Sequence, residues 1–287
     1  MPLAFGLSFV ATKVALRGFE PLLVALLRFA FAGAIMWALW RLRREREHVT
    51  VAELRRLAAL GFVSLTVYFT FENLGIARTS ASAAAILIAT IPIFVAVLNA
   101  FTLREHVAAR QWTGVLLSFA GVAALVALGG TGGGGSLGGD LLVLAASLTA
   151  ALYLIMARGL LVRRSALYVT TFQNLFGALF MAPLALAEAL VAGVRRPTAP
   201  AVGGVVFLTL VCSVLAYLLL NYASRYVQAS RLSVFVNLTP IVGVAAAYVL
   251  LGERFTPGQA AAAVVVVLGV WLTNSSREAA VRSPSAG

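Results

Sequence analysis

Of 287 residues, 61% are hydrophobic and 11% charged, and the mean hydropathy is +0.98, whereas soluble domains sit near half apolar and a quarter charged. The net charge of +12 would suggest nucleic acid in a soluble protein, but the basic residues fall in loops between long apolar runs, so the class is an all-α polytopic membrane protein. The single cysteine, Cys212, excludes an intrachain disulfide and reads as a small apolar filler.

Apolar runs bounded by Arg, Gly and Pro predict ten transmembrane helices, at 2–18, 21–41, 55–77, 79–102, 108–128, 140–161, 166–191, 200–224, 228–251 and 257–274, each near the ~20 residues a crossing needs. The first run lacks the charged region and cleavage site of a secretory signal and reads as a true helix carrying Ser8, Thr12 and Lys13. Pro21 opens the second span, where proline is tolerated, and Arg28 lies within it. In the third, Gly61, Ser64, Tyr68 and Glu72 recur every three or four residues and share one helix face, with Asn73 beside them. Thr90 and Pro92 lie in the fourth. Gly129 to Gly139 holds eight glycines and no charge; it lacks the Lys-Ser/Thr of a phosphate loop and reads as a flexible external linker.

Beyond it, Asp140 reads as a helix N-cap, and Thr149 and Tyr153 follow in the sixth span. The eighth carries Ser213, Tyr217 and Asn221; the ninth carries Ser230, Ser233 and Asn237. Pro92, Pro183 and Pro240 are expected inside helices, where they remove a hydrogen bond and kink the axis. Pro257 opens the tenth span, and the polar tail after Asn274 is expected to be disordered.

One stretch occurs twice. At an offset of 148 residues, without a gap, Asn73 falls on Asn221, Ser82 on Ser230, Pro92 on Pro240, Glu105 on Glu253, Gln111 on Gln259 and Gly121 on Gly269. Ten identities in fifty positions barely exceed chance in so apolar a chain, but Asn, Pro, Glu and Gln are scarce in apolar helices and their coincidence carries the weight. An offset of 145 sets Lys13 on Arg158 and Arg28 on Gln173. Each copy holds five spans, and an odd number turns the second copy upside down relative to the first. Fifteen arginines lie in loops on the side of the termini against five on the other, which predicts cytoplasmic N and C termini. The domains read as a first repeat at 1–128, a periplasmic linker at 129–139, a second repeat at 140–274 and a cytoplasmic tail at 275–287.

Lys13, Arg28 and Glu72 lie roughly 7–10 Å below the outer boundary at 1.5 Å per residue, close enough to meet. Two readings stand. Glu72 partly neutralises a positive site that attracts a substrate carboxylate, or Lys13 and Arg28 snorkel and an Arg28–Glu72 pair is structural. The polar faces either line a cavity or glue helices together. Pro92 and Pro240 are expected as paired hinges. Glu105 and Glu253 read as structural ties to neighbouring backbone or Arg.

With the Lys13 and Arg28 pattern, the two Pro helices, and the endings Leu103-Arg-Glu105 and Leu251-Gly-Glu253-Arg254 followed by Gln111 or Gln259 and Gly121 or Gly269, the chain resembles the EamA-type branch of the drug/metabolite transporter superfamily. That resemblance implies ten helices in two inverted repeats, a multi-pass protein of the bacterial inner membrane, and alternating access with the site near the midplane. It implies export of amino acids, aromatic or hydrophobic ones among them, or of drugs or other metabolites. The expected partners are a small-molecule substrate, the lipid bilayer and protons, with a monomer as the working unit, no cofactor and no nucleic acid. His48 and His106 sit in charged loops and no metal-binding pattern is present, which argues against an enzyme; a channel would show a filter loop or a ring of like residues.

Overall fold

The computed structural model describes residues 2–42, 50–102, 109–129, 135–161, 164–193, 195–219 and 238–282. All regular structure among these is helical. The chain runs through α1 (Pro2–Ala15), α2 (Pro21–Arg41), α3 (Val51–Arg78), α4 (Ala81–Ile88 and Ile91–Thr102), α5 (Ala109–Gly129), α6 (Leu137–Leu161), α7 (Ala166–Ala192), α8 (Ala199–Leu219), α9 (Thr239–Leu251) and α10 (Pro257–Arg282).

Most starts are written in the sequence. Thr50 and Glu53 form a reciprocal capping box at α3, and Thr256 with Gln259 forms another at α10, at 2.9 and 3.3 Å. Ser80, Ser165 and Thr198 cap α4, α7 and α8. Each supplies an oxygen to an amide that no helical carbonyl can reach. α2 is capped from another helix: Glu188 of α7 accepts from Leu22 N at 2.8 Å.

Eight of the described helices are long and apolar enough to cross a membrane, which makes this a multi-pass membrane protein; α1 and α9 are shorter apolar helices. Ten full spans were expected. The start expected for the ninth, from residue 228, lies outside the described residues. Leu116, Leu179, Leu190 and Val191 are exposed, an arrangement suited to hydrocarbon rather than water.

Packing between the two copies is reciprocal. α1 lies on α8 and α9, and its counterpart α6 lies on α3 and α4; α2 packs on its counterpart α7, and α5 on α10. The α5–α10 crossing is close because it is lined by small residues. A Cβ on Gly121 would stand 2.8 Å from Val266 N, and one on Gly269 2.6 Å from Gly114 O, so only hydrogen fits there. Between them Ser118 Oγ donates to Val266 O at 3.0 Å. Residues 118 and 266 are themselves 148 apart.

Three expectations change. Pro92 and Pro240 are not helix-interior residues: each stands in the first turn of a helical segment, Ile91–Thr102 and Thr239–Ala246. α4 is interrupted just before Pro92, at Ala89 and Thr90, because proline offers no N–H to the preceding turn. At the break Leu87 O accepts from Thr90 N at 3.1 Å, Thr90 Oγ1 at 2.6 Å and Ser147 Oγ at 3.0 Å. Pro183 does lie inside α7. Asp140 does not cap α6: the helix begins at Leu137, Ser136 Oγ takes Gly139 N at 3.1 Å, and Asp140 Oδ1 accepts from Thr79 Oγ1 at 2.5 Å. Finally, α10 continues through Arg282, since Ser-Ser-Arg-Glu-Ala-Ala is polar but not helix-breaking.

Candidate functional site

α3 and α8, counterparts in the two copies, share an irregularity. Each contains a π-helical stretch, Phe62–Val67 in α3 and Leu208–Ala216 in α8. Wider turns of this kind shift the side chains that follow and often mark functional sites. Ser64 lies in the first stretch and Ser213 in the second, and each stretch is closed by a tyrosine, Tyr68 or Tyr217.

The two serines meet the two central polar residues of the facing copy. Arg28 Nε of α2 donates to Ser213 Oγ at 2.6 Å, and Gln173 Nε2 of α7 donates to Ser64 Oγ at 2.5 Å. Arg28 and Gln173 are repeat counterparts, and so are α8 and α3; the two bonds therefore join equivalent helices, with the serines one position out of register, since Ser64 falls on Cys212 at the 148-residue offset. Both donors are buried, at 4% and 5% exposure. Ser64 Oγ in turn donates a hydrogen bond to Leu60 O at 2.6 Å.

The two poles differ in charge. The Arg28 guanidinium lies over the rings of Phe69 and Phe29, at 4.7 and 5.3 Å from their centroids, where cation–π attraction holds it in place of water. Among the described residues its hydrogen bond is the one to Ser213, which leaves both terminal nitrogens with donor capacity. Glu72 is buried within Coulombic reach of Arg28 and accepts from the Tyr68 hydroxyl at 2.8 Å through Oε1. Tyr217 lies within Coulombic reach of Arg28, Tyr153, Glu72 and Cys212 and packs edge-on against Phe5 at 5.5 Å. Tyr153 interacts with Gln173. The result is one buried cation, one buried acid, three tyrosines and an amide gathered between the copies.

Other expected site residues lie elsewhere. Lys13 does not join Arg28 and Glu72: Nζ donates to Ile76 O at 2.7 Å and to Thr79 O, satisfying carbonyls at the end of α3. Asn73 turns away from Glu72, its Nδ2 donating to Pro21 O at 2.9 Å. Ser8 bonds Phe5 O in its own helix at 2.6 Å, Thr12 is buried, Thr90 serves the α4 break, and Thr149 bonds Ala145 O at 2.8 Å. Asn221, Ser233 and Asn237 lie outside the described residues. Gln173 is the residue that polarity patterns did not select; a buried carboxamide in an apolar span, aligned with Arg28, was its signal.

The sequence pattern of the EamA-like transporter family matches residues 1–127 and again 137–275. An uncharacterized transporter of Archaeoglobus fulgidus is 28% identical over 95% of this chain and 95% of its own. A probable terminal-alkyne amino-acid exporter of Streptantibioticus cattleyicolor is 27% identical over 93% of this chain and 88% of its own. A chain of known crystal structure superposes with a TM-score of 0.67 over 98% of this chain and 96% of its own, at 20% identity, a likeness of fold.

Proposed function

Since this chain belongs to the EamA-like transporter family, whose members are named as transporters rather than enzymes, we propose that it exports amino acids across the bacterial inner membrane by alternating access of two inverted five-helix repeats. The observation that carries this reading is the pair Arg28 and Glu72. One buried cation with spare donors and one buried carboxylate within its field suit a zwitterion, with the substrate carboxylate on Arg28 and its ammonium toward Glu72. Tyr68, Tyr153, Tyr217 and Phe69 form walls on which an aromatic or apolar side chain packs. The name of the Streptantibioticus relative, an amino-acid exporter, supports the same class. Both termini face the cytoplasm in this reading, and the monomer is the working unit.

Counterflow in proteoliposomes with a panel of labelled amino acids and cationic drugs tests it. Saturable exchange of neutral amino acids is the expected outcome. Transport of the drugs alone would replace the proposal by a multidrug carrier, in which Glu72 would receive the cation.

A further inference from the structure

Away from the central cluster, at the end of α3, a short loop is held from three directions. Lys13 of α1 binds carbonyls of Ile76 and Thr79. Asp140 of α6 takes the Thr79 hydroxyl. The third grip is Glu253, just beyond α9. Its Oε1 accepts from Ala81 N at 2.9 Å, and its Oε2 from Ser82 N at 2.9 Å and Ser82 Oγ at 2.7 Å. Ser80 already serves Ala83 N at 3.0 Å, so the first amides of α4 are divided between a residue of their own copy and one from the other. Gly252, with φ of 69°, turns the chain sharply after α9 and delivers Glu253 to this seat. Lys13 lies within Coulombic reach of Glu253. Beside the seat lies a cavity of about 320 Å³ lined by Ser82, Asp140, Glu253, Arg254 and Gln259, among others.

A fixed cap needs no partner from the other copy; Ser80 shows that a local residue suffices. A carboxylate reaching across the interface behaves differently. It binds strongly when the copies meet, through charge-assisted bonds to a positive helix end. When they part, carboxylate and amides are each hydrated at small cost. An apolar seal would instead expose its surface to water. The contact is therefore suited to repeated making and breaking.

We propose that Glu253 is a gate latch: its carboxylate, seated on the first turn of α4, closes this face of the carrier, and its release opens the neighbouring cavity to substrate. Glu253 positions the two copies and does not touch the substrate at the central cluster. The inference rests on the alternating-access reading given above, and the labelling arm of its test needs no substrate.

The test uses a Cys212→Ala background with Ala83→Cys in the cavity wall as reporter, in lipid nanodiscs where both faces are accessible. Maleimide labelling is timed with Glu253 intact, with Glu253→Gln and with Ser82→Ala. Loss of the charge should speed labelling about fivefold or more, and loss of the Ser82 hydroxyl about twofold, as the latch loses all or part of its charge-assisted bonds. Counterflow turnover should change in Glu253→Gln while substrate affinity stays within about twofold, because the binding groups are elsewhere. Labelling rates equal to the parent in both variants, with folded yield preserved, overturn the latch. Faster labelling in a protein that transports no amino acid leaves the latch standing and removes the substrate assignment.

Discussion

Arg28→Gln isolates the carboxylate half of the proposed site. The substitution removes the guanidinium from between Phe69 and Phe29 and takes away the Nε bond to Ser213, but glutamine can still donate to that serine. The protein loses roughly 0.5–2 kcal/mol of cation–π attraction, partly offset because a buried charge no longer has to be kept from water. Substrate binding loses more. A hydrogen bond from a charged donor to a carboxylate contributes about 1.5–3 kcal/mol, which at 1.4 kcal/mol per decade is roughly ten- to a hundredfold in Kd. The assay is a thermodynamic cycle: Kd for an amino acid and for its carboxamide, each on the parent and on Arg28→Gln. The parent should prefer the acid by about ten- to a hundredfold, and the variant should bind both within about threefold, since only the acid meets the guanidinium as an anion. Equal weakening of both ligands would refute the reasoning, because Arg28 would then be shaping the site without reading the carboxylate.

Other outcomes follow from the same geometry. Glu72→Gln should keep folded yield but abolish the response of exchange to an imposed pH gradient; an unchanged response removes Glu72 from coupling. Gly269→Ala should lower the melting temperature in detergent, by about 1–3 kcal/mol of overpacking, because the added methyl meets Gly114 O at 2.6 Å; an unchanged melting temperature would mean the α5–α10 crossing yields easily. Replacing Pro92 and Pro240 together by alanine restores two amide donors near the α4 break and its counterpart, and should alter transport rate more than affinity; an unchanged rate removes the hinge role.

Much of this was readable from the chain. Scarce residues at a constant offset identified the counterparts, and Arg28 with Gln173 gained its meaning only from that alignment. The face Ser64, Tyr68 and Glu72 was legible because polar side chains in lipid cannot be placed at random, and the structure joins Tyr68 to Glu72 directly. Glu253 was expected to tie neighbouring backbone, and it does. The π stretches were not legible: a wider turn has no residue signature, since it depends on which carbonyl an amide finds rather than on side-chain type. Lys13 was misplaced for a related reason. Helix rise gives a depth but no direction: a long flexible side chain turns to the nearest unsatisfied carbonyls, and those at Ile76 and Thr79 appear only once α3 is seen to end beside α1. Pro92 was read as an interior kink because an apolar run shows no sign of where its helix is interrupted.

The bond from Ser118 to Val266 O joins a position to its own counterpart. If the two open states of the carrier are related by exchanging the copies, the backbone crossing at 118 and 266 maps onto itself, but the hydrogen bond does not, because valine has no hydroxyl to return it. The glycine-lined crossing then acts as a fulcrum with no preference for either face, while the one-way bond is a place where the faces differ. Substitutions of Gly121 or Gly269 should therefore change how firmly the molecule holds together without changing which way it points, whereas any bias between the faces has to be stored where the copies differ, at Ser118 against Val266 and at Arg28 against Gln173.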